Sequence, residues 1–173
     1  MKIISGGQHG VDISALRAAK RVGLQTGGLA PPWLVIQFDL NAQFGVRAMA
    51  MDRGIRSRAQ MLALRSMCNV DGSDATVAFL LEPGAGTERT VVYARTRKWA
   101  DSRMRYEAAA EEPPSDYKPV LVITDLDEAA DAVRAFLVKH RPQTVNVCGS
   151  RARANEQRVE AVLADALQSF VFK

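Results

Sequence analysis

The chain predicts an α/β protein built on one doubly wound, mostly parallel sheet with helices on both faces. Three observations carry this. Short apolar runs alternate with longer stretches of helical spacing, which implies parallel strands joined by helical crossovers. The run Ala75-Thr76-Val77-Ala78-Phe79-Leu80-Leu81 is apolar without alternation, as a strand buried on both faces must be. Glycine turns follow three of the expected strands, where strand passes to helix.

Lys2-Ile3-Ile4 is expected as the first strand, leading through Ser5-Gly6-Gly7-Gln8-His9-Gly10 into a helix marked by Val11, Leu16, Ala19 and Val22 and stopped by Gly23. Leu24-Gln25-Thr26 suits a second strand, after which Gly27-Gly28 and Pro31-Pro32 suggest an irregular loop. Trp33 to Gly45 carries no readable pattern. Val46 to Met67 mixes apolar residues with Arg47, Arg53, Arg56, Arg58 and Arg65, and Gly54 divides it into two expected helical pieces. The Ala75 strand and the loop Glu82-Pro83-Gly84-Ala85-Gly86-Thr87 open another helix through Val91, Val92 and Ala94. A surface excursion is expected at about 98–117, then a strand at Lys118 to Ile123, a helix at Asp127 to Lys139, a strand at Thr144 to Cys148 and a closing helix at Asn155 to Ser169. The count is about five strands in one domain spanning 1–173.

Composition narrows the function classes. With 173 residues, 47% hydrophobic and 24% charged, the chain has ordinary globular content. No apolar run approaches the ~20 residues of a membrane span, and Met1 to Gly7 lacks the apolar region of a secretion signal. Cys68 and Cys148 stand far apart without His or Cys at ligand spacing, so neither a metal site nor a disulfide is indicated and a reducing, cytoplasmic setting fits. The net charge of +4 comes mainly from arginine, the side chain whose planar fork matches phosphates and carboxylates. Acidic residues interrupt the basic ones throughout, which argues against a nucleic-acid partner.

In an open parallel sheet, ligands bind beyond the carboxyl ends of the strands, so the loops at Ser5 to Gly10, Pro83 to Thr87 and Cys148-Gly149-Ser150-Arg151 are expected to converge. Glycine lets backbone approach a ligand, and the helix that follows presents free N–H groups to an anion. Neither the dinucleotide fingerprint nor the Gly-Lys-Ser/Thr phosphate loop is present, which argues against nicotinamide cofactors and nucleotide triphosphatase chemistry. Asp12 reads equally as an N-terminal helix charge or a ligand or metal contact, His9 as an anion donor or proton carrier or as a turn residue, and His140 as a helix-end cap. Turn chemistry alone would account for Asn69, Ser73 and Asp74. Glu82 and Glu88 bracket the second glycine loop and are the candidate acid or base of a hydrolase. Thr87 and Thr90 suit helix capping, and Arg151 is the arginine best placed to clamp an anion.

Taken together, Ile3 to Asp12, Asn69-Val70 through Ser73-Asp74-Ala75-Thr76, Gly86-Thr87 with Thr90, Lys118 to Val122 and Val145 to Arg151 resemble the circularly permuted branch of the SLOG superfamily, often labelled molybdenum carriers. The resemblance implies a Rossmann-like fold related to phosphoribohydrolases. It places a ligand pocket at Gly6, Gly7, Gln8, Asp12, Asn69, Ser73, Asp74, Gly86, Thr87, Asn146, Gly149 and Arg151, which the loop reading extends to His9, Gly84 and Ser150. It also implies self-association into a homo-oligomer. Here His9 stands in place of the family's usual Thr and Ser150 in place of its Pro.

Three functions follow as expectations. The first is a binding protein without catalysis, holding a molybdenum cofactor or a nucleotide derivative; sequestration of a nucleotide second messenger is its variant. The second is a nucleotide N-glycosidic hydrolase, although Thr90 and Val91 stand where the related enzymes carry their glutamate. The third is an interaction module using Trp33, Trp99 and Tyr106 as a contact surface.

Overall fold

A computed structural model describes residues 1–50, 57–97 and 118–171. Gly54 and the expected excursion at 98–117, with Trp99 and Tyr106, lie outside these residues. In chain order the elements are β1 (Lys2–Ile4), α1 (Val11–Arg21), β2 (Gln25–Ala30), α2 (Pro32–Gln37), α3 (Leu40–Phe44), β3 (Val46–Ala48), α4 (Arg58–Asp71), β4 (Ala75–Phe79), α5 (Ala85–Thr96), β5 (Val120–Ile123), α6 (Ala129–His140), β6 (Thr144–Gly149) and α7 (Glu156–Gln168), with a 3-10 turn at Arg153–Asn155 before α7.

All strand pairs are parallel, in the order β3-β2-β1-β6-β4-β5. The chain winds outward from β1 to β3, crosses to β4 and β5, and returns to insert β6 between β1 and β4. The winding therefore reverses at the centre of the sheet, the position at which α/β sheets open a crevice.

Strand periodicity sends alternate residues to opposite faces. Ile3, Val77, Phe79, Val145 and Val147 pack with α1, α6 and α7 in one apolar cluster. Their neighbours Ile4, Thr76, Ala78, Asn146 and Cys148 face the side where α4 and α5 pack on each other and on the sheet. A smaller apolar cluster joins Ile13 and Leu16 of α1 to Leu40, Phe44 and Val46 at the sheet edge. No described helix is long and apolar enough to cross a membrane.

Three expectations change. First, Gly27-Gly28 lie inside β2, not in a loop. A Cβ on Gly28 would sit 2.2 Å from the Ser5 carbonyl oxygen, and its φ is 127°. The glycines thus allow a close passage of β2 along the end of β1. Second, Val46 to Ala48 forms a strand on Gly28 to Ala30, so the sheet has six strands, not about five. Three residues are too few to show a period. Third, the unreadable stretch from Trp33 to Gly45 is the pair of short helices α2 and α3, too short for a helical repeat to emerge.

Candidate functional site

The loops after β1, β4 and β6 touch one another. The Val11 N–H donates to the Ser150 carbonyl at 3.0 Å, and the Ser150 N–H donates to the Phe79 carbonyl at 3.3 Å. Gly10 has φ 83°, and a Cβ there would meet the Ser150 carbonyl oxygen at 2.2 Å. A Cβ on Gly149 would lie 2.6 Å from Val11 Cγ2 and 2.7 Å from the Phe79 carbonyl oxygen. Glycine at both positions is what lets the three segments approach this closely.

Beside this junction opens a cleft of about 780 Å³. Gln8 enters it from the loop after β1 and Asp12 from α1, Glu82 to Gly84 from the end of β4, and Cys148 to Ala152 from the end of β6. The remaining walls are α4 and the first turns of α5. Gly84 caps α5 with no side-chain hydrogen bond, so the helix begins with free N–H groups beside the cleft. Neither Thr87 nor Thr90 caps it: Thr87 lines the cleft, and the Thr90 hydroxyl donates to the Gly86 carbonyl at 2.9 Å.

Arg65 forms the floor. It is buried across Gly6, where a Cβ would lie 1.4 Å from its Nη1. Nη1 donates to Asp12 Oδ2 at 2.7 Å and Nη2 to Gln8 Oε1 at 2.5 Å. Its Nε is buried without a partner, as is Nδ2 of Asn146. The Cys148 thiol, also lining the cleft, is pushed up to about 12 by burial and then by the Asp12 carboxylate, so it stays protonated and neutral. Among the described residues, Arg89, Arg151 and Glu82 line the cleft with no hydrogen bond or ion pair, which leaves two guanidinium groups and one carboxylate available to a ligand.

Gln8, Asp12, Gly84, Gly86, Thr87, Gly149, Ser150 and Arg151 are thus gathered at the cleft together with Glu82. Others are not. Asn69 accepts from the Leu29 N–H at 2.8 Å and donates to the Leu29 carbonyl at 3.1 Å, continuing the ladder of β2 where β1 has ended. Ser73 donates to the Val70 carbonyl at 2.8 Å. Asp74 accepts from the Gln143 and Thr144 N–H groups at 3.0 and 2.8 Å, at the amino end of the sheet. Only Ser73 makes the local turn bond expected of all three: Asn69 sits within α4 and bonds across 40 positions, and Asp74 bonds across 69 and 70, so their partners are set by the packing of the sheet and not by a turn. Asn146 is buried within β6, and Gly6 lies beneath Arg65. Gly7 and His9 face a different cavity, and Glu88 sits in the first turn of α5 without lining the cleft.

Arg65 and Arg89 were not singled out from the sequence. For Arg65 a signal existed: Met61, Arg65 and Asn69 recur every fourth residue along the buried stripe of α4, and an arginine on such a stripe requires a buried partner. Trp33, a candidate contact residue, is half-buried with the Arg58 guanidinium 5.5 Å from its ring centroid. His140 ends α6 and packs on the Phe136 ring at 4.8 Å, as a helix-end residue.

No curated protein sequence matches this chain. Among solved structures, the "Putative molybdenum carrier protein" from Syntrophus aciditrophicus SB is similar over 98% of this chain and 93% of that one, with a TM-score of 0.60 and 23% identity. That likeness supports the fold. The profile of the Circularly permutated YpsA SLOG family matches residues 3–171, nearly the whole sequence and all of its glycine loops, and the chain belongs to that family.

Proposed function

We propose that this protein is a small-molecule binder that holds a phosphorylated or otherwise anionic ligand in the cleft without turning it over. The observation that carries this is the meeting of two unpaired guanidinium groups, Arg89 and Arg151, with the uncapped start of α5 in one cleft. Charge-assisted and helix-terminus donors aimed at one volume suit an oxyanion or phosphate. At about 780 Å³ the cleft falls within the ~300–1,000 Å³ range of small-molecule sites.

The name of the structural neighbour makes the molybdenum cofactor one candidate cargo, and a nucleotide derivative is the other. Among the described residues no group of three His, Cys, Asp or Glu could hold a metal ion. The guanidinium groups of Arg89 and Arg151, without partners among the described residues, suit the acceptor atoms of a phosphate or oxyanion better than a bare cation. Any molybdenum would enter as part of an anion.

The test is to purify the protein natively, denature it, and analyse released small molecules by mass spectrometry and molybdenum by elemental analysis. A pterin with stoichiometric molybdenum supports the carrier reading. A nucleotide derivative supports sequestration or the hydrolase reading, and Glu82→Gln separates these: loss of turnover marks catalysis, whereas near-normal binding marks a binder. Glu82, lining the cleft, is the observation that keeps the hydrolase reading in view. The proposal also includes a homo-oligomeric state, which light scattering would test, and a cytoplasmic location.

A further inference from the structure

The loop between β1 and α1 is a wall with a cavity on each side. Gln8 faces the cleft, whereas its neighbours Gly7 and His9 line a second cavity of about 310 Å³. Gly7, at φ 69°, is pressed against α3, and a Cβ there would lie 2.4 Å from Leu40 Cδ1. The wall is braced from α7 and the 3-10 turn before it: Glu156 Oε1 accepts from the Gly10 N–H at 2.7 Å, and the Arg153 guanidinium meets His9 Nε2 at 2.8 Å.

The second cavity contains charges of both signs. Arg17 is half-exposed and, among the described residues, its guanidinium is ion-paired with Glu156 at 3.5 Å through one Nη. Asp39 is exposed in the left-handed region at φ 47°, and among the described residues its carboxylate has no hydrogen bond or ion pair. Ile13 and the Phe38 ring supply apolar surface, with His9 edge-on to Phe38 at 4.7 Å. A simple anion would face the uncompensated Asp39 carboxylate, and a simple cation the Arg17 guanidinium. A compact molecule carrying both charges satisfies both.

We infer that this cavity is a second binding site, for a small zwitterion of the α-amino acid class, placed back to back with the cleft across the Gly7–Gly10 wall. Its occupancy is felt on the cleft side through Gln8. The site stands apart from the cleft reading, because it uses none of the residues that line the cleft.

The experiment titrates the full-length, isotope-labelled protein with each common L-amino acid, and with acetate and methylammonium as single-charge probes, following amide and side-chain resonances by NMR. The expected result is saturable shifts at Gly7, Phe38 and Asp39 with at least one amino acid, together with the Gln8 side-chain amide, and none with the single-charge probes. Asp39→Asn and Arg17→Gln should each weaken that binding about tenfold or more, with the spectrum otherwise folded. No saturable shift up to millimolar concentration, equal response to acetate, or binding indifferent to both substitutions overturns the inference. Shifts confined to the cleft overturn it as well, without touching the proposed function.

Discussion

The two faces of the sheet are made from the same strands and have opposite characters. On the face covered by α1, α6 and α7, the strands present Ile3, Val77, Phe79, Val145 and Val147 to one apolar cluster, and the buried Ser14 hydroxyl of α1 has both its bonds made, to the Gly10 and Glu156 carbonyls. On the face covered by α4 and α5, they present Thr76, Asn146 and Cys148, and the helices add buried Arg65, Asn69 and Thr90. Among the described residues, both buried polar side-chain atoms without a partner lie on this second face. The difference teaches a division of labour: the dry face supplies burial energy, and the polar face accepts desolvation cost so that donors are in place beside the cleft.

The largest expected effect comes from the polar face. Asp12→Ala leaves the buried Arg65 guanidinium without its carboxylate, and a loss of about 3–5 kcal/mol is expected by chemical denaturation. A loss below about 1 kcal/mol would mean that the pair is not buried as described. Leu163→Ala on the dry face should cost about 2–5 kcal/mol through its cavity while leaving ligand content per folded molecule unchanged. A coupled loss of ligand would break the division between the faces.

Arg151→Gln and Arg89→Gln reverse the pattern. Each should leave stability within about 0.5 kcal/mol, since neither guanidinium has a partner among the described residues, and each should weaken anion binding about tenfold by calorimetry. Cys148 sharpens the comparison through pH. Its folded-state thiol keeps its proton well above the ordinary 9.0, so the native state binds more protons than the unfolded chain between pH 9 and about 12, and stability falls as pH rises through that window. In Cys148→Ala the alkaline fall should be shallower, measured by denaturation at pH 8 and pH 10. Asp74→Ala at the amino end should cost about 1 kcal/mol, because its two backbone bonds are solvent-exposed, and have the smallest effect on anion binding, leaving it unaltered.

The legible part of the molecule is the part with a strong local period. The Ala75 run, the helices at 129–140 and 156–168, and the glycine turns ahead of α1 and α5 fall where spacing put them. β3 escaped because three residues between short helices show no alternation, and β2 was cut short because its glycines read locally as a turn. Within the site, the cleft-lining glycines and Arg151 were readable from their position after strands. Asn69 and Asp74 read locally as turn residues, but their bonds reach across 40 and 70 positions to the backbone of Leu29 and Thr144, which no local pattern could show.

By itself, the sequence determined the alternation of strand and helix, the buried central strand and the placing of glycines at strand ends, because each follows from local sterics and period. The tertiary structure alone decided which polar groups are paired and which are free. Asp12 meets Arg65 across 53 positions of chain, His9 meets Arg153 across 144, and Gly7 and Gln8, adjacent in sequence, look into different cavities. No local period encodes such contacts, because they arise only when β6 inserts between β1 and β4 and brings distant loops together.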